Sequence, residues 1–293
     1  MTRIVATVLV LVTVGSVVFH FISPWWWTPI ASNWGYIDNA ILITFWITGV
    51  VFVAVLAFTT YCVVRFRHRE GNKAAYEPEN HKLEWWLTGI TSVGIAGMLA
   101  PGLFVWDQFI KVPDEATEIE VVGQQWQWAF RLPGEDGVLG KSDNSLIDFD
   151  NPFGLDTEDA NGLDDVLILS DEVHLPIDRP VKVLLRSIDV LHDFYVPQFR
   201  AKMDMVPGTV TYFWVTPTRT GSFEILCFEL CGTGHYAMRG KVFVDTDADY
   251  AAWLGEQQTF EQMAGLDRLD GDRPSELASR MDESPPAVQA AAR

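Results

Sequence analysis

Two long stretches without a charged side chain constrain this chain more than any other feature of its sequence. Residues 40–64 form an uncharged run of 25 positions, and residues 85–106 form another of 22. As helices these runs would be about 37 and about 33 Å long, enough to cross a hydrocarbon core of roughly 30 Å. Tryptophans lie within or at the ends of both runs, as is typical of membrane interfaces. The sequence therefore predicts a transmembrane helical hairpin over residues 35–106.

The loop between the two runs predicts how the hairpin is oriented. It carries five basic side chains, at Arg65, Arg67, Arg69, Lys73 and Lys82. Short loops rich in Lys and Arg remain on the cytoplasmic side of a membrane. We therefore expect the tip of the hairpin to lie inside the cell and everything after residue 106 to lie outside.

A third apolar run, residues 4–21, follows Arg3 near the N-terminus. Residues 1–22 fit either a cleaved signal peptide or an extra transmembrane helix. No small-x-small cleavage pattern precedes the bulky residues 24–27, which favours a retained helix. The prediction is two or three transmembrane helices, and in both cases the large C-terminal part of the chain lies outside the membrane.

Charge is distributed unevenly between the two parts of the chain. Residues 1–106 hold six Lys/Arg and five Asp/Glu, a net charge of +1, whereas residues 107–293 hold 15 and 34, a net charge of −19. Nucleic-acid binding needs an excess of Lys and Arg to neutralise phosphates. We therefore expect no nucleic-acid partner.

Residues 107–254 have the pattern of an all-β extracytoplasmic domain. Apolar and polar residues alternate in short segments at 117–122, 180–185, 210–215, 223–226 and 240–244, separated by Pro and Gly turns. Such strands predict a β-sandwich or a Greek-key barrel. Residues 131–172 interrupt this pattern with 12 Asp/Glu, and we interpret them as an acidic insertion. Residues 255–293 have the composition of a polar tail, partly disordered.

Two of the three cysteines, Cys227 and Cys231, lie in the part predicted to be outside the membrane. Free thiols do not normally persist in an oxidising compartment, so this pair either forms a disulfide or binds metal. His235 and Met238 follow within seven residues of Cys231. Thiolate, thioether and imidazole donors together favour copper, and two thiolates four residues apart allow both sulfurs to bridge a pair of copper ions. A second histidine must come from elsewhere, and His192 is the candidate.

The motif C-x3-C-x3-H-x2-M, with D-V-L-H upstream, resembles subunit II of the haem-copper cytochrome c oxidases over about residues 35–253. The resemblance implies a membrane helical hairpin followed by a cupredoxin-like Greek-key domain that holds the binuclear CuA centre. In that family the two cysteines bridge two copper ions and each histidine ligates one. A methionine and a backbone carbonyl are weaker ligands, and a glutamate side chain reaches a Mg or Mn ion shared with subunit I. The corresponding residues here are Cys227, Cys231, His192, His235, Met238 and Glu229.

Two further residues acquire roles through the same resemblance. The segment 123–128, G-Q-Q-W-Q-W, is similar to the family's aromatic segment G-H-Q-W-Y-W, which makes Trp126 the residue through which electrons enter. A strand tryptophan is otherwise a packing residue. Glu84, at the start of the second long apolar run, matches a glutamate at the mouth of a proton pathway in subunit I. A carboxylate at a helix N-terminus is also simply favoured by the helix dipole, and both interpretations of Glu84 stay open.

The resemblance implies an electron-transfer subunit that does no bond chemistry alone. It would accept electrons from cytochrome c and pass them to haems held only in subunit I, where oxygen is reduced to water and protons are pumped. Its partners would be subunit I, subunit III, cytochrome c and membrane lipid, in a bacterial inner membrane with the copper domain on the periplasmic side. There are three alternatives. One is a quinol oxidase, although its related subunit lacks the copper ligands. The others are a nitric oxide reductase with a copper subunit and a stand-alone copper-binding or thiol-sensing membrane protein. The negative charge of the domain either only solvates it or steers a donor with a basic face.

Overall fold

The computed structural model describes residues 1–23, 28–73, 76, 78–148 and 151–266. Its N-terminal part consists of three helices, α1 (Thr2–Ile22), α2 (Gly35–Arg65) and α3 (His81–Ile110). All three are long and apolar enough to cross a membrane, and no residue in them is buried within the chain. Both runs predicted from the sequence are thus confirmed as helices, and residues 2–22 form a third. The bulky residues 24–27 lie outside the described residues.

In the described residues, ten strands follow the helices. They are β1 (Thr117–Gln124), β2 (Gln127–Leu132), β3 (Val166–Ile168), β4 (Glu172–Pro176), β5 (Val181–Ser187), β6 (His192–Val196), β7 (Ala201–Met205), β8 (Thr211–Val215), β9 (Gly221–Cys227) and β10 (Arg239–Asp245). They form two five-stranded sheets, in the orders β3-β2-β1-β5-β8 and β4-β10-β9-β6-β7. This confirms the predicted membrane helices followed by an all-β cupredoxin-like domain. The sequence pattern located β1, β5, β8, β9 and β10 and missed the other five strands.

The core lies between the two sheets, where inward-facing residues of both meet. Val121 and Phe213 come from the first sheet, Ile225 and Val242 come from the second, and all four are at most 1% exposed. Alternate residues of each strand point inward because side chains alternate across a strand. Burial of this apolar surface is the main force that holds the sandwich together.

The acidic segment 131–172 is more ordered than a surface loop. It contains the end of β2, a short helix α4 (Ala160–Leu163), β3 and the start of β4. Phe153 and Leu155 are buried against Val122 of β1 and Phe260. Phe260 begins helix α6 (Phe260–Met263), which follows α5 (Asp247–Gly255). The C-terminal residues therefore close over the acidic segment, and residues 267–293, where the disordered tail was predicted, lie outside the described part of the chain.

A buried ion network fastens the same segment to the first sheet. Arg131 Nε donates to Glu120 Oε2 at 2.7 Å and Arg131 Nη1 donates to Asp165 Oδ2 at 2.8 Å. Arg186 Nε donates to the other oxygen of Glu120 at 2.8 Å. All four side chains are at least 94% buried. Buried charges require such partners, since an unpaired one carries a large desolvation penalty.

Candidate metal centre

The candidate ligands meet at one end of the second sheet because β6 and β9 are neighbours. His192 is the first residue of β6 and Cys227 is the last residue of β9, and the antiparallel register pairs Phe194 with Cys227. The loop of residues 228–238, called the ligand loop below, then returns to β10. Two backbone hydrogen bonds close this loop: Cys227 N–H donates to Met238 O at 3.2 Å, and Phe228 N–H donates to Asp193 O at 3.1 Å.

The two cysteines lie side by side, each with its own imidazole. Their Sγ atoms are 3.7 Å apart, much further than the S–S bond of about 2.05 Å in a disulfide. Cys227 Sγ lies 3.8 Å from His192 Nδ1, and Cys231 Sγ lies 3.6 Å from His235 Nδ1. His192, Cys227 and Cys231 are buried, with donor atoms within 4.8 Å of one another, and they could hold a metal ion.

Two weaker donors flank the sulfur pair, one on each side. Met238 Sδ lies 3.8 Å from Cys231 Sγ, and the backbone oxygen of Glu229 lies 3.2 Å from Cys227 Sγ. The donor set is therefore two thiols at the centre, an imidazole beside each, and a thioether and a carbonyl further out. Thiolates and thioethers are soft donors that suit copper, and imidazole binds it as well.

The charges of the two thiols also favour a bound cation. Burial alone raises the pKa of Cys227, but hydrogen bonds with His192 and with nearby backbone groups lower it to about 6. Burial and the neighbouring Cys227 raise the pKa of Cys231 to about 12. Two adjacent thiols therefore cannot both ionise readily on their own, whereas a metal ion bound between them deprotonates both ligands. The residues present fit a sulfur-bridged metal pair.

Asp189 orients the His192 ring, a contact that the sequence patterns did not single out. Its Oδ1 accepts a bond from His192 Nε2 at 2.8 Å, and its Oδ2 accepts one from the backbone N–H of Gln125 at 2.6 Å. Burial raises the pKa of Asp189, but these bonds outweigh burial and lower the pKa below its usual value. An ionised Asp189 keeps the proton of His192 on Nε2, so that Nδ1 is free to bind metal. A carboxylate three residues before a ligand histidine is the only sequence signal that could have suggested this role.

Trp126 lies directly on the ligand loop. Its Nε1 donates to the backbone oxygen of Cys231 at 3.2 Å, and Gln125 Nε2 donates to the same oxygen at 2.8 Å. Its ring covers two glycines, since a Cβ on Gly234 would lie 2.3 Å from it and one on Gly232 would lie 3.3 Å away. Trp126 is nevertheless 40% exposed to solvent. The structure thus places a solvent-accessible aromatic residue within a hydrogen bond of the backbone of a candidate copper ligand.

The two candidate carboxylates have different surroundings. Glu229 is half-buried within the ligand loop, and the described residues bring no second cluster of three or more His, Cys, Asp or Glu together that could complete a metal site. Glu84 lies in the first turn of α3, where it is exposed and 3.3 Å from His81 Nδ1. Asn80 caps this helix by accepting a bond from Leu83 N at 3.0 Å. The assigned roles of Glu229 and Glu84 remain predictions.

Comparison with known proteins points to one family. Residues 117–244 match the family model described as cytochrome c oxidase subunit II, periplasmic domain. The chain is 64% identical over 261 residues to an alternative cytochrome c oxidase subunit 2 of Bradyrhizobium diazoefficiens, covering 89% of this chain and 94% of that protein. It is 29% identical over 241 residues to a cytochrome c oxidase subunit 2 of Cereibacter sphaeroides, with coverage of 78% and 77%.

Among solved structures, the periplasmic domain of cytochrome oxidase subunit II of Bradyrhizobium japonicum is similar at 26% identity. The matched region covers 50% of this chain and 95% of the chain in that structure, with a TM-score of 0.36. The matched family domain coincides with the β domain, so the chain is a membrane protein with an extracytoplasmic β domain. This chain belongs to the cytochrome c oxidase subunit II family.

Proposed function

We propose that this oxidase subunit accepts electrons from a cytochrome c at a binuclear copper centre and passes them to the haems of subunit I. There, oxygen is reduced to water and protons are pumped across the membrane. The observation that carries the proposal is the pair of buried sulfurs 3.7 Å apart with an imidazole Nδ1 within 3.8 Å of each. A stand-alone thiol sensor would need the two cysteines alone, and the rest of this donor set would have no role.

The side chains around the sulfur pair are suited to hold a redox centre with little movement. A bound pair of copper ions would supply a one-electron carrier whose electron is shared by two metal ions. Cys227, Cys231, His192 and His235 would be the main ligands, with Met238 and the Glu229 carbonyl as weaker ones. The ligand loop is tied at both ends by backbone bonds, and Asp189 fixes one ring. Because the ligands are held in the same positions before and after electron transfer, little structural reorganisation would accompany each gain or loss of an electron.

Trp126 supplies the surface at which a donor would deliver electrons. It is exposed, and its indole N–H donates a hydrogen bond to the backbone oxygen of Cys231. This contact gives electrons a short covalent and hydrogen-bonded route into the site. The net charge of −19 on residues 107–293 would attract a donor with a basic face. Redox encounters are small and short-lived, so steering matters more than a large interface.

The remaining partners follow from the same proposal. The chain would sit in a bacterial inner membrane beside subunits I and III, with the copper domain in the periplasm. The Glu229 side chain would bind Mg or Mn only together with groups from subunit I. Glu84 would lie on the cytoplasmic side, where a membrane-edge carboxylate can admit protons to a pathway in subunit I.

Copper binding by the full-length chain in detergent tests the proposal directly. After incubation with copper we expect two copper ions per chain and the purple, mixed-valence spectrum of a sulfur-bridged pair. Cys227→Ser and Cys231→Ser should each abolish this spectrum, whereas Met238→Leu should keep the copper with a shifted potential. Cys62→Ser is the matched control, because this third cysteine lies in α2 and outside the ligand cluster.

Two results would contradict the proposal. One is a chain that binds no copper and holds a Cys227–Cys231 disulfide under mildly reducing, copper-replete conditions. The other is a purified complex with an intact copper spectrum that does not consume oxygen with reduced cytochrome c. Turnover of nitric oxide instead of oxygen by that complex would favour the copper-containing nitric oxide reductases.

A further inference from the structure

The connection between α1 and α2 is built into the β domain. Ala31 is fully buried and Trp34 is 1% exposed, both in the main core of the sandwich. Ala31 N donates to Gln198 O at 2.8 Å, and Thr218 N donates to Ala31 O at 2.9 Å. The domain therefore includes residues that come before the membrane hairpin as well as those that follow it.

An aromatic contact joins this connection to the far end of the hairpin. The Trp34 ring lies 4.8 Å from that of Trp214 and 5.0 Å from that of Phe109, between ring centroids. Trp34 Nε1 donates to Trp214 O at 2.9 Å, and Trp214 Nε1 donates to Gln108 O at 3.2 Å. Trp214 lies on β8, and Gln108 and Phe109 lie in the last turn of α3. This contact holds one point of the domain against the membrane helices.

Arg200 makes a second contact, and it uses every N–H of its guanidinium group. Nε and Nη2 donate to the two oxygens of Asp38 at 2.6 and 3.0 Å. Nη2 also donates to Thr28 O at 2.6 Å, while Nη1 donates to Thr28 Oγ1 at 3.1 Å and to Pro197 O at 2.9 Å. An Arg side chain has five N–H donors, and the bidentate pair with a carboxylate is its strongest geometry.

The surroundings of this pair distinguish it from an ordinary surface ion pair. The side chains of Arg200 and Asp38 are only 14% and 21% exposed. Asp38 lies in the first turn of α2, where a negative charge is favoured by the helix dipole. Arg200 has a φ of +56°, a left-handed conformation that disfavours a residue with a Cβ. The structure thus keeps an arginine at a position where glycine would fit the backbone better.

Strand β6 connects this contact with the candidate copper ligands. His192 is its first residue, and Arg200 follows four residues after its last, Val196. The five residues of β6, as extended chain, cover about 17 Å between the copper ligand and the turn that holds Arg200. β6 is hydrogen-bonded on both sides, to β9 and to β7, so it does not bend independently of the sheet. A rotation of α2 relative to the domain would therefore move the ligands as one body.

We propose that Arg200 is a positioning residue: by joining the β domain to α2 at a second point, it fixes the copper ligands at one distance from the membrane-embedded electron acceptor. The contacts of Ala31 and Trp34 hold the domain just before α2 begins, and the bond to Asp38 adds a contact inside the first turn of that helix. This added contact restrains rotation of α2 relative to the domain. Electron tunnelling slows exponentially with distance, so a domain that rocks would transfer electrons onward more slowly. This inference rests on the proposed function for its consequence, but its geometric part does not.

The test compares Arg200→Gly and Asp38→Asn with the wild type in the assembled oxidase. Glycine tolerates the positive φ, so the first variant removes the side chain without adding backbone strain. A nitroxide attached at Arg65→Cys, in a Cys62→Ser background, reports the distance to the unpaired electron of the copper centre. Both variants should broaden this distance distribution and slow onward transfer to the haems severalfold. Copper content, the copper spectrum and electron uptake from the donor should not change.

Arg179→Gly is the matched control. Arg179 also pairs with an aspartate, Asp247 at 2.7 Å, but both side chains are more than half exposed and neither residue belongs to the membrane helices α1, α2 and α3. This variant should leave the distance distribution and both rates unchanged. An unchanged distribution in Arg200→Gly and Asp38→Asn would overturn the proposal. If Arg200→Gly fails to assemble, Asp38→Asn decides alone, since it leaves the β domain intact.

The geometric part can be tested even if the copper proposal fails. A second nitroxide at Thr220→Cys, on an exposed turn of the β domain, replaces the copper centre as the reference point. Broadening between the two nitroxides in Arg200→Gly would support the positioning role without any bound metal. A narrow distribution in that pair would refute it, whatever the copper measurements show.

Discussion

Substitution of Gly234 by alanine should displace Trp126 and slow electron uptake while leaving the metal in place. A Cβ at this position would lie 2.3 Å from Cδ2 of the indole and 2.6 Å from Cε3. Because non-bonded carbon atoms rest about 3.5–4.0 Å apart, the ring must withdraw by more than about 1 Å. Its bond to Cys231 O, already 3.2 Å long, would then break. Overpacking of this kind costs about 1–3 kcal/mol.

The ligands themselves should remain in place in this variant. Gln125 still donates to Cys231 O at 2.8 Å, and the bond from Cys227 N to Met238 O still closes the loop. We therefore expect an unchanged copper content and spectrum, with electron transfer from reduced cytochrome c slowed in stopped-flow measurements. Gly255→Ala is the control, because a Cβ there would meet nothing within 4 Å.

Two outcomes would refute this reasoning. If uptake in Gly234→Ala is as fast as in the wild type, the position of the indole does not limit electron transfer. If copper is lost together with uptake, the substitution acts through the ligand loop rather than through Trp126. Trp126→Gln provides an independent check, since it should slow the transfer step far more than the binding of cytochrome c.

Further predictions concern the ligand support, the buried ion network, the proton route and the donor. Asp189→Asn gives His192 a weaker acceptor, and copper affinity should fall about 10–100-fold, measured by competition with a chelator. Arg131→Met leaves buried carboxylates with fewer partners and should cost about 3–5 kcal/mol of stability at neutral pH. Burial raises the pKa of Asp165 to about 6 despite the opposing charge of Arg131, so below pH 6 the folded chain holds this carboxyl mainly protonated. The loss in Arg131→Met should therefore be larger at pH 8 than at pH 5 in thermal unfolding, and an equal loss at both would show that Asp165 is not involved. Glu84→Ala should slow oxygen turnover without changing copper content, and unchanged turnover would return Glu84 to a helix-dipole role. Electron uptake from cytochrome c should slow steeply with added salt, since the Debye length is about 10 Å at 0.1 M, and a flat dependence would exclude steering by the acidic domain.

The sequence by itself determined the features that depend on nearby residues. Membrane spans follow from the length and hydropathy of one continuous segment, so α2 and α3 could be predicted without any tertiary contact. The candidate ligands Cys227, Cys231, His235 and Met238 lie within 12 residues of one another, and their donor types and spacing pointed to copper. His192 lies 35 residues before Cys227, so the sequence offered it only as a candidate, and the family resemblance implied its role as a ligand.

Only the tertiary structure decided the contacts between distant segments. Pairing of β6 with β9 brings His192 beside Cys227, and the turn after β1 brings Trp126 onto Gly234. The contact between Arg200 and Asp38 spans 162 residues of chain. Hydropathy and strand alternation describe which face a residue presents, but they hold no information on which strands become neighbours. The packing of the two sheets settles that choice, because in this arrangement both apolar faces are buried together.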